Sequence, residues 1–227
     1  MAFEAVEEAV ISLSPFKQSE AGTIRYDYAQ PVSVSSNGGL LALSLDELLL
    51  NAEVVNRAAP RFDLTAFSLA RLKSTLDEPI LPGEVALSRD GVYIGQSQLP
   101  LIPAGGTAEV AFGSVEGIRL SYQLLENNTG DRGILTSAST RNQEMEFSVE
   151  NLTGETTSVE ALFALPFSEQ EDLEVGAAAR PAPDLTSVDD KRGVGQWNLE
   201  LGPGQKTTVR ISIGMTWPEG FELFWRP

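Results

Sequence analysis

The chain has 227 residues, 42% of them hydrophobic, and its 16 basic and 32 acidic side chains leave a net charge of −16. It contains neither histidine nor cysteine, which excludes Ser-His-Asp and cysteine-based nucleophilic catalysis and the usual zinc, haem and iron–sulfur ligand sets. So acidic a balance argues against nucleic-acid phosphates or anionic lipid as partners, and no apolar run approaches the roughly 20 residues that a membrane-crossing helix needs. The first ten residues, MAFEAVEEAV, lack the basic and long apolar regions of a secretion signal.

In chain order, Met1–Leu13 reads as helix, with Phe3, Val6 and Val10 at spacings of three and four. Ile24, Tyr26 and Tyr28 alternate with Arg25 and Asp27, as in a strand with one wet face. Asp46–Ala58 is rich in helix formers and predicts a helix with Leu49 and Val54 as buried positions. Phe62–Ser74 fits a helix through Leu64, Phe67 and Leu72, or a strand through Leu64, Ala66, Ser68 and Ala70. Asp90-Gly91, between Glu84–Ser88 and Val92–Gln96, predicts a tight hairpin whose turn needs positive φ. Pro103-Ala104-Gly105-Gly106 and Pro203-Gly204-Gln205 punctuate strand pairs in the same way.

Period-two rows continue at Ala108/Val110/Phe112, Ile118/Leu120/Tyr122/Leu124 and Met145/Phe147/Val149. They recur at Trp197/Leu199/Leu201, and the longest row is Val209/Ile211/Ile213/Met215/Trp217. Glu126–Gly133 (ENNTGDRG) reads as an exposed loop tip, which makes Asp131 a candidate contact residue. Ser168–Arg192 lacks periodicity and reads as a long irregular connection across one end of a sandwich.

Several motifs invite chemistry. Gly202-Pro203-Gly204-Gln205-Lys206-Thr207 lacks phosphate-loop spacing and reads as a hairpin turn. Gly193-Val194-Gly195 has no third glycine opening a helix, so it is no dinucleotide fingerprint. Asn127-Asn128-Thr129 and Asn151-Leu152-Thr153 match the glycosylation acceptor pattern, a frequent chance match. Twelve acidic residues against two arginines lie between Arg141 and Asp190. Solvation of one face is the plain reading. Glu171, Asp172, Asp184, Asp189 and Asp190, with Glu169 and Glu174, are the candidate oxygen ligands for calcium, although they lack EF-hand spacing. Asp189-Asp190-Lys191-Arg192 reads as surface ion pairing. Trp197 and Trp217 fall on buried-face rows and read as core rather than as a sugar-stacking platform with Tyr93; Trp225, in the tail, is a candidate contact.

Five strings in order resemble a known family: Leu81–Gly106 with Ala111-Phe112-Gly113, Phe147–Val175, Asp189–Lys206 and Met215–Gly220. Together they are similar to the C-terminal domain of unknown function of mucoidy-inhibitor-A-like bacterial proteins, over about Gly22 to Gly220. The resemblance implies an all-β domain and assigns no catalytic residue. Larger members carry an N-terminal β domain and a coiled coil before it, often behind a secretion signal, and the family name implies a link to the cell envelope. This chain departs from that long form in lacking the coiled coil, so Met1–Leu13 reads as a remnant linker. The resemblance turns Phe62–Ser74 toward strand and places the hairpin at Arg89–Val92.

The sequence therefore predicts an all-β chain with little helix, made of two packed β-sandwich units, the second immunoglobulin-like. The expected divisions are a linker over 1–18, a first unit over 19–137, a second over 138–221 and a tail over 222–227. The expected role is a non-catalytic interaction module of a bacterial envelope-associated protein, without a cofactor, whose partner is a protein or an envelope polysaccharide. The alternative is polysaccharide binding or carboxylate-based processing, with calcium assisting. A third reading is a structural spacer inside a longer chain, with no specific ligand, and free sheet edges separately raise homo-oligomerisation.

Overall fold

The computed structural model describes residues 16–20, 23–27, 31–33, 36, 47–132 and 138–223. The chain divides into two compact units, Met1–Leu50 and Asn51–Pro227. In the first, β1 (Phe16–Glu20) and β2 (Thr23–Asp27) form an antiparallel hairpin, where the Ile24/Tyr26 alternation placed a strand. The helix expected over Met1–Leu13 lies outside the described residues.

The second unit is built almost wholly of strands: β3 (Asn51–Ala58), β4 (Phe67–Lys73), β5 (Gly83–Arg89), β6 (Val92–Leu99), β7 (Thr107–Ser114) and β8 (Ile118–Arg132), followed by β9 (Ala138–Asn151), β10 (Thr157–Ala164), β11 (Glu174–Arg180), β12 (Leu185–Thr186), β13 (Val194–Leu201) and β14 (Lys206–Pro218). No α-helix occurs among the described residues; a single 3-10 turn covers Val188–Asp190. One sheet has the order β12-β13-β10-β3-β4-β7 and faces a second of order β11-β14-β9-β8. The all-β packed-sheet class expected from the alternation is the class observed.

The core lies between these two sheets. Val209, Ile211, Ile213, Met215 and Trp217 of β14 are buried in one row, beside Met145, Phe147 and Val149 of β9. Across the layer stand Ala58 of β3, Val159, Ala161 and Phe163 of β10, and Trp197 and Leu201 of β13. Phe147 joins the layers: its ring stacks on Phe163 at 5.8 Å between centroids and meets Trp197 edge-on at 5.3 Å. Both core tryptophans still satisfy their indole N–H, Trp197 by donating to the Pro181 carbonyl (2.9 Å) and Trp217 to that of Phe221 (3.0 Å). The β5–β6 hairpin forms its own two-stranded sheet and lies beside β7. Its turn has φ of 51° at Asp90 and 76° at Gly91, the positive pair that an Asp-Gly hairpin supplies.

Four expectations are corrected. The division at 137/138 does not follow the sheets. Strands β3, β4 and β7 share a sheet with β10, β12 and β13, and β8 pairs with β9 along its whole length. Parallel pairing of β3 with β10 (Asn56–Ala58 with Val159–Ala161) is the long-range contact responsible. Second, the helix expected over Asp46–Ala58 is strand from Asn51 onward. Leu49 (90% exposed) and Val54 (64%) are not buried positions. The adjacent β-branched Val54 and Val55, pairing with β4 and burial of Ala58 against the core outweigh helix propensity there.

Third, of the loop expected over Glu126–Gly133, the described residues Glu126–Arg132 are strand, because β8 continues to Arg132 with one bulge between Leu124 and Glu126. Fourth, Ser168–Arg192 contains two strands, β11 and β12. Its alanines carry no alternation because β11 is a sheet edge with Gly176, Ala177 and Ala178 exposed. Phe62–Ser74 resolves as strand β4 from Phe67, with Ser68 and Ala70 buried and Leu64, ahead of the strand, exposed.

Candidate functional site

The densest group of charges lies on the six-stranded sheet, on the face away from the core. Alternation turns Ala58, Val159 and Ala161 inward and therefore turns Arg57 of β3 and Glu160 of β10 outward. Parallel register sets Arg57 beside Glu160, and antiparallel register sets Arg71 of β4 beside Glu109 of β7. Four adjacent strands, β10-β3-β4-β7, thus deliver two arginines and two glutamates to one spot.

Arg57 donates to both carboxylates. Its Nη1 reaches Glu109 Oε2 at 2.6 Å and its Nη2 reaches Oε1 at 2.9 Å, a bidentate pair. Nε and Nη2 reach Glu160 Oε2 at 3.2 and 2.9 Å. Arg71 repeats the arrangement: Nε and Nη2 donate to Glu109 Oε1 at 3.2 and 3.1 Å, and Nη2 to Glu160 Oε1 at 3.2 Å. Glu53 adds a looser contact to Arg71 at 3.6 Å. The Arg57 and Glu160 side chains are 17% and 16% exposed, Arg71 and Glu109 about twice that.

Burial of the Arg57 guanidinium works against its charge. Hydrogen bonds to Glu109 and Glu160, with the carboxylate charges, outweigh this and hold its pKa above the ordinary arginine value. Arg71 is shifted in the same direction for the same reasons. Hydrogen bonding from Arg57 holds the Glu109 carboxyl below its usual value, against partial burial and with help from the Arg57 charge and from Arg71. A carboxylate kept ionised in this way is a poor general acid. Guanidiniums already bound to two carboxylates are poor anion receptors. What the arrangement does physically is tie four strands together. Leu185–Val188, Gln196 and Asn198 line the open cleft of 510 Å³ above it.

A second groove of 690 Å³ crosses the outer face of the four-stranded sheet, lined by Glu144, Glu146, Ala178, Arg180, Thr208, Arg210 and Ser212. Arg210 pairs with Glu146 there at 3.1 Å.

Among the described residues, the acidic side chains proposed from sequence for calcium are not brought together. Glu171 and Asp172 precede β11 and Asp184 follows it, so seven strand residues, about 20 Å, separate them. Glu171, Asp172 and Asp190 are exposed, and Asp190 sits in the 3-10 turn with φ 58°. Asp184 Oδ2 accepts the Asn198 backbone N–H at 2.7 Å, and Glu169 meets Arg192 at 3.4 Å. Asp189 is placed by its backbone in the same turn, its side chain lying outside the described residues. Among the described residues no three acidic side chains converge as a metal site.

Asp131 belongs to the end of β8 rather than to a loop, opposite Ser139, and its side chain is also outside the described residues. Trp225 lies outside them altogether. Asn151, in the second acceptor triplet, is fully buried. Its Nδ2 donates to the carbonyls of Glu155 (2.7 Å) and Leu201 (2.8 Å), and its Oδ1 accepts from Thr153 N–H (2.9 Å) and Oγ1 (2.7 Å). Its role is to hold two turns together.

Sequence reasoning missed the Arg57–Arg71–Glu109–Glu160 group. The available signal was weak: Glu109 between Ala108 and Val110, and Glu160 between Val159 and Ala161, are ordinary outward-row charges, and Arg57 fell inside the expected helix.

A family model described as a domain of unknown function (DUF4139) matches residues 4–219. The chain is also similar to Protein F37C4.5 of Caenorhabditis elegans, 19% identical over 207 residues, which take in 87% of this chain and 37% of that protein. It thus spans little more than a third of the length of that curated relative. No solved structure matches. With the match running through every described strand, the chain belongs to the DUF4139 family.

Proposed function

We propose that the chain is a non-catalytic β-sandwich interaction module that works as part of a larger assembly, in the manner of the mucoidy-inhibitor-A-like envelope proteins its strings resemble. The observation that carries this reading is the use made of the charged group on the outer sheet face. Both arginines and both glutamates are spent on one another, across four strands, in an arrangement that stabilises a surface and keeps the Glu109 carboxyl ionised and so a poor proton donor. The composition points the same way, since the chain has no imidazole or thiol. The calcium-assisted polysaccharide reading has less support, because Asp184 and Glu169 are engaged by Asn198 and Arg192.

The test is incubation of the protein with a panel of envelope polysaccharides, scored separately for binding and for new reducing ends. No release of reducing ends, by the wild type or by Glu109→Gln and whether or not a polysaccharide binds, is the expected result. Release of reducing ends by the wild type that disappears in Glu109→Gln or in Asp184→Ala/Asp190→Ala would overturn the reading.

A further inference from the structure

We infer that the chain self-associates through the free edge of β11, two copies pairing antiparallel so that the four-stranded sheet continues across a two-fold axis into one of eight strands. Among the described residues, strand β11 bonds to β14 on one side and ends the sheet on the other. An open edge presents unpaired backbone donors and acceptors, and soluble proteins guard such edges with lysine, proline, bulges or inward-pointing charge. From Glu174 to Arg180 there is no lysine and no proline, and the pairing with β14 runs without a bulge.

The charges on this edge suit a second copy of itself. They are two, of opposite sign, at its two ends: Glu174 and Arg180. Both are exposed, and among the described residues neither joins an ion pair within the chain. Six residues apart, they share one face of the strand, the outer face on which Ala178 and Arg180 line the groove with Arg210. An antiparallel pair centred on Ala177 sets Glu174 opposite the second copy's Arg180, twice by symmetry. The same register sets Val175 opposite the second copy's Ala179 on the inner face, where both already pack against the core. A parallel pair would instead set like charges side by side. The small side chains at 176–179 only leave the edge accessible; the attraction comes from the backbone and the two end charges. The interface is isologous and closes at two copies, and an edge of seven residues predicts a reversible dimer rather than an obligate one.

Sedimentation velocity at physiological ionic strength, where the charge of −16 on each copy is largely screened, tests the inference. The wild type is expected to dimerise at high micromolar concentration. Glu174→Arg and Arg180→Glu each turn two attractions into two repulsions and are expected to weaken the dimer at least about tenfold. They leave Val175 and Ala179 in place, and circular dichroism verifies the fold. The two single variants mixed in equal amounts regain both attractive pairs and are expected to associate with each other, as is the double variant with itself. A wild type that stays monomeric, a dimer indifferent to both reversals, or a mixture that fails to associate would overturn the inference.

Discussion

Replacing Arg57 by methionine removes one guanidinium and keeps most of its aliphatic volume. Four hydrogen bonds disappear, two to each glutamate, the shortest at 2.6 Å. Glu109 and Glu160 are not abandoned, because Arg71 still reaches both. The loss therefore falls between that of an exposed pair, up to about 1 kcal/mol, and that of a broken buried pair, about 3–5 kcal/mol. With Arg57 and Glu160 mostly covered and Glu109 and Arg71 about one third exposed, we expect about 2 kcal/mol. Equilibrium unfolding in urea measures it: the midpoint falls while the slope with denaturant stays constant. Glu109→Gln completes a double-mutant cycle, and a coupling of about 1 kcal/mol is expected between the two sites. The effect also has a pH signature. A carboxyl held below its unfolded value stabilises the fold fully above that unfolded value, about 4.3, and loses the contribution as pH falls through the lowered folded value. The gap between wild type and Arg57→Met should therefore close in acid below about pH 4. A loss under about 0.5 kcal/mol at neutral pH, with additive single effects, would refute the reasoning.

Three further outcomes follow from the packing. Phe147→Ala removes the ring that touches both Phe163 and Trp197, and is expected to cost about 3–5 kcal/mol by urea unfolding. Asn151→Ala leaves the Leu201 and Glu155 carbonyls without their side-chain donor in a buried turn. It should cost about 2 kcal/mol, whereas Asn128→Ala on the exposed part of β8 should be within about 0.5 kcal/mol of wild type. Millimolar calcium should leave the thermal midpoint where chelator leaves it, because a ligand specific to the folded state must raise it; a clear rise would restore the acidic residues 169–190 as a site.

The rows most open to reading were those that alternate and bury one face. Val209 through Trp217 and Met145 through Val149 carry their partnership in their own periodicity, and the Asp90-Gly91 turn announces itself by its residue types. What could not be read was whatever depends on strand order. Asn51–Ala58 has the composition of a helix, and its antiparallel pairing with β4 and its parallel contact with Val159–Ala161, about a hundred residues away, make it a strand. That same contact assembles the charged group. Glu160 meets Arg57 through the β3–β10 pairing, and Glu109 meets Arg71 through β4–β7, so no local pattern could connect the four residues. Strand β11 was hidden for the opposite reason: Gly176–Ala179 has no alternation to detect, because an edge strand with small side chains buries little.

The pairing of β3 with β10 joins β3, β4 and β7 to the later strands of their sheet and places the charged group on its face. Backbone nuclear Overhauser contacts in the labelled full chain measure it directly. Parallel-strand contacts between Asn56–Ala58 and Val159–Ala161 are the predicted result. Helical contacts and shifts over Asn51–Ala58, with no cross-peak to Val159–Ala161, would contradict it.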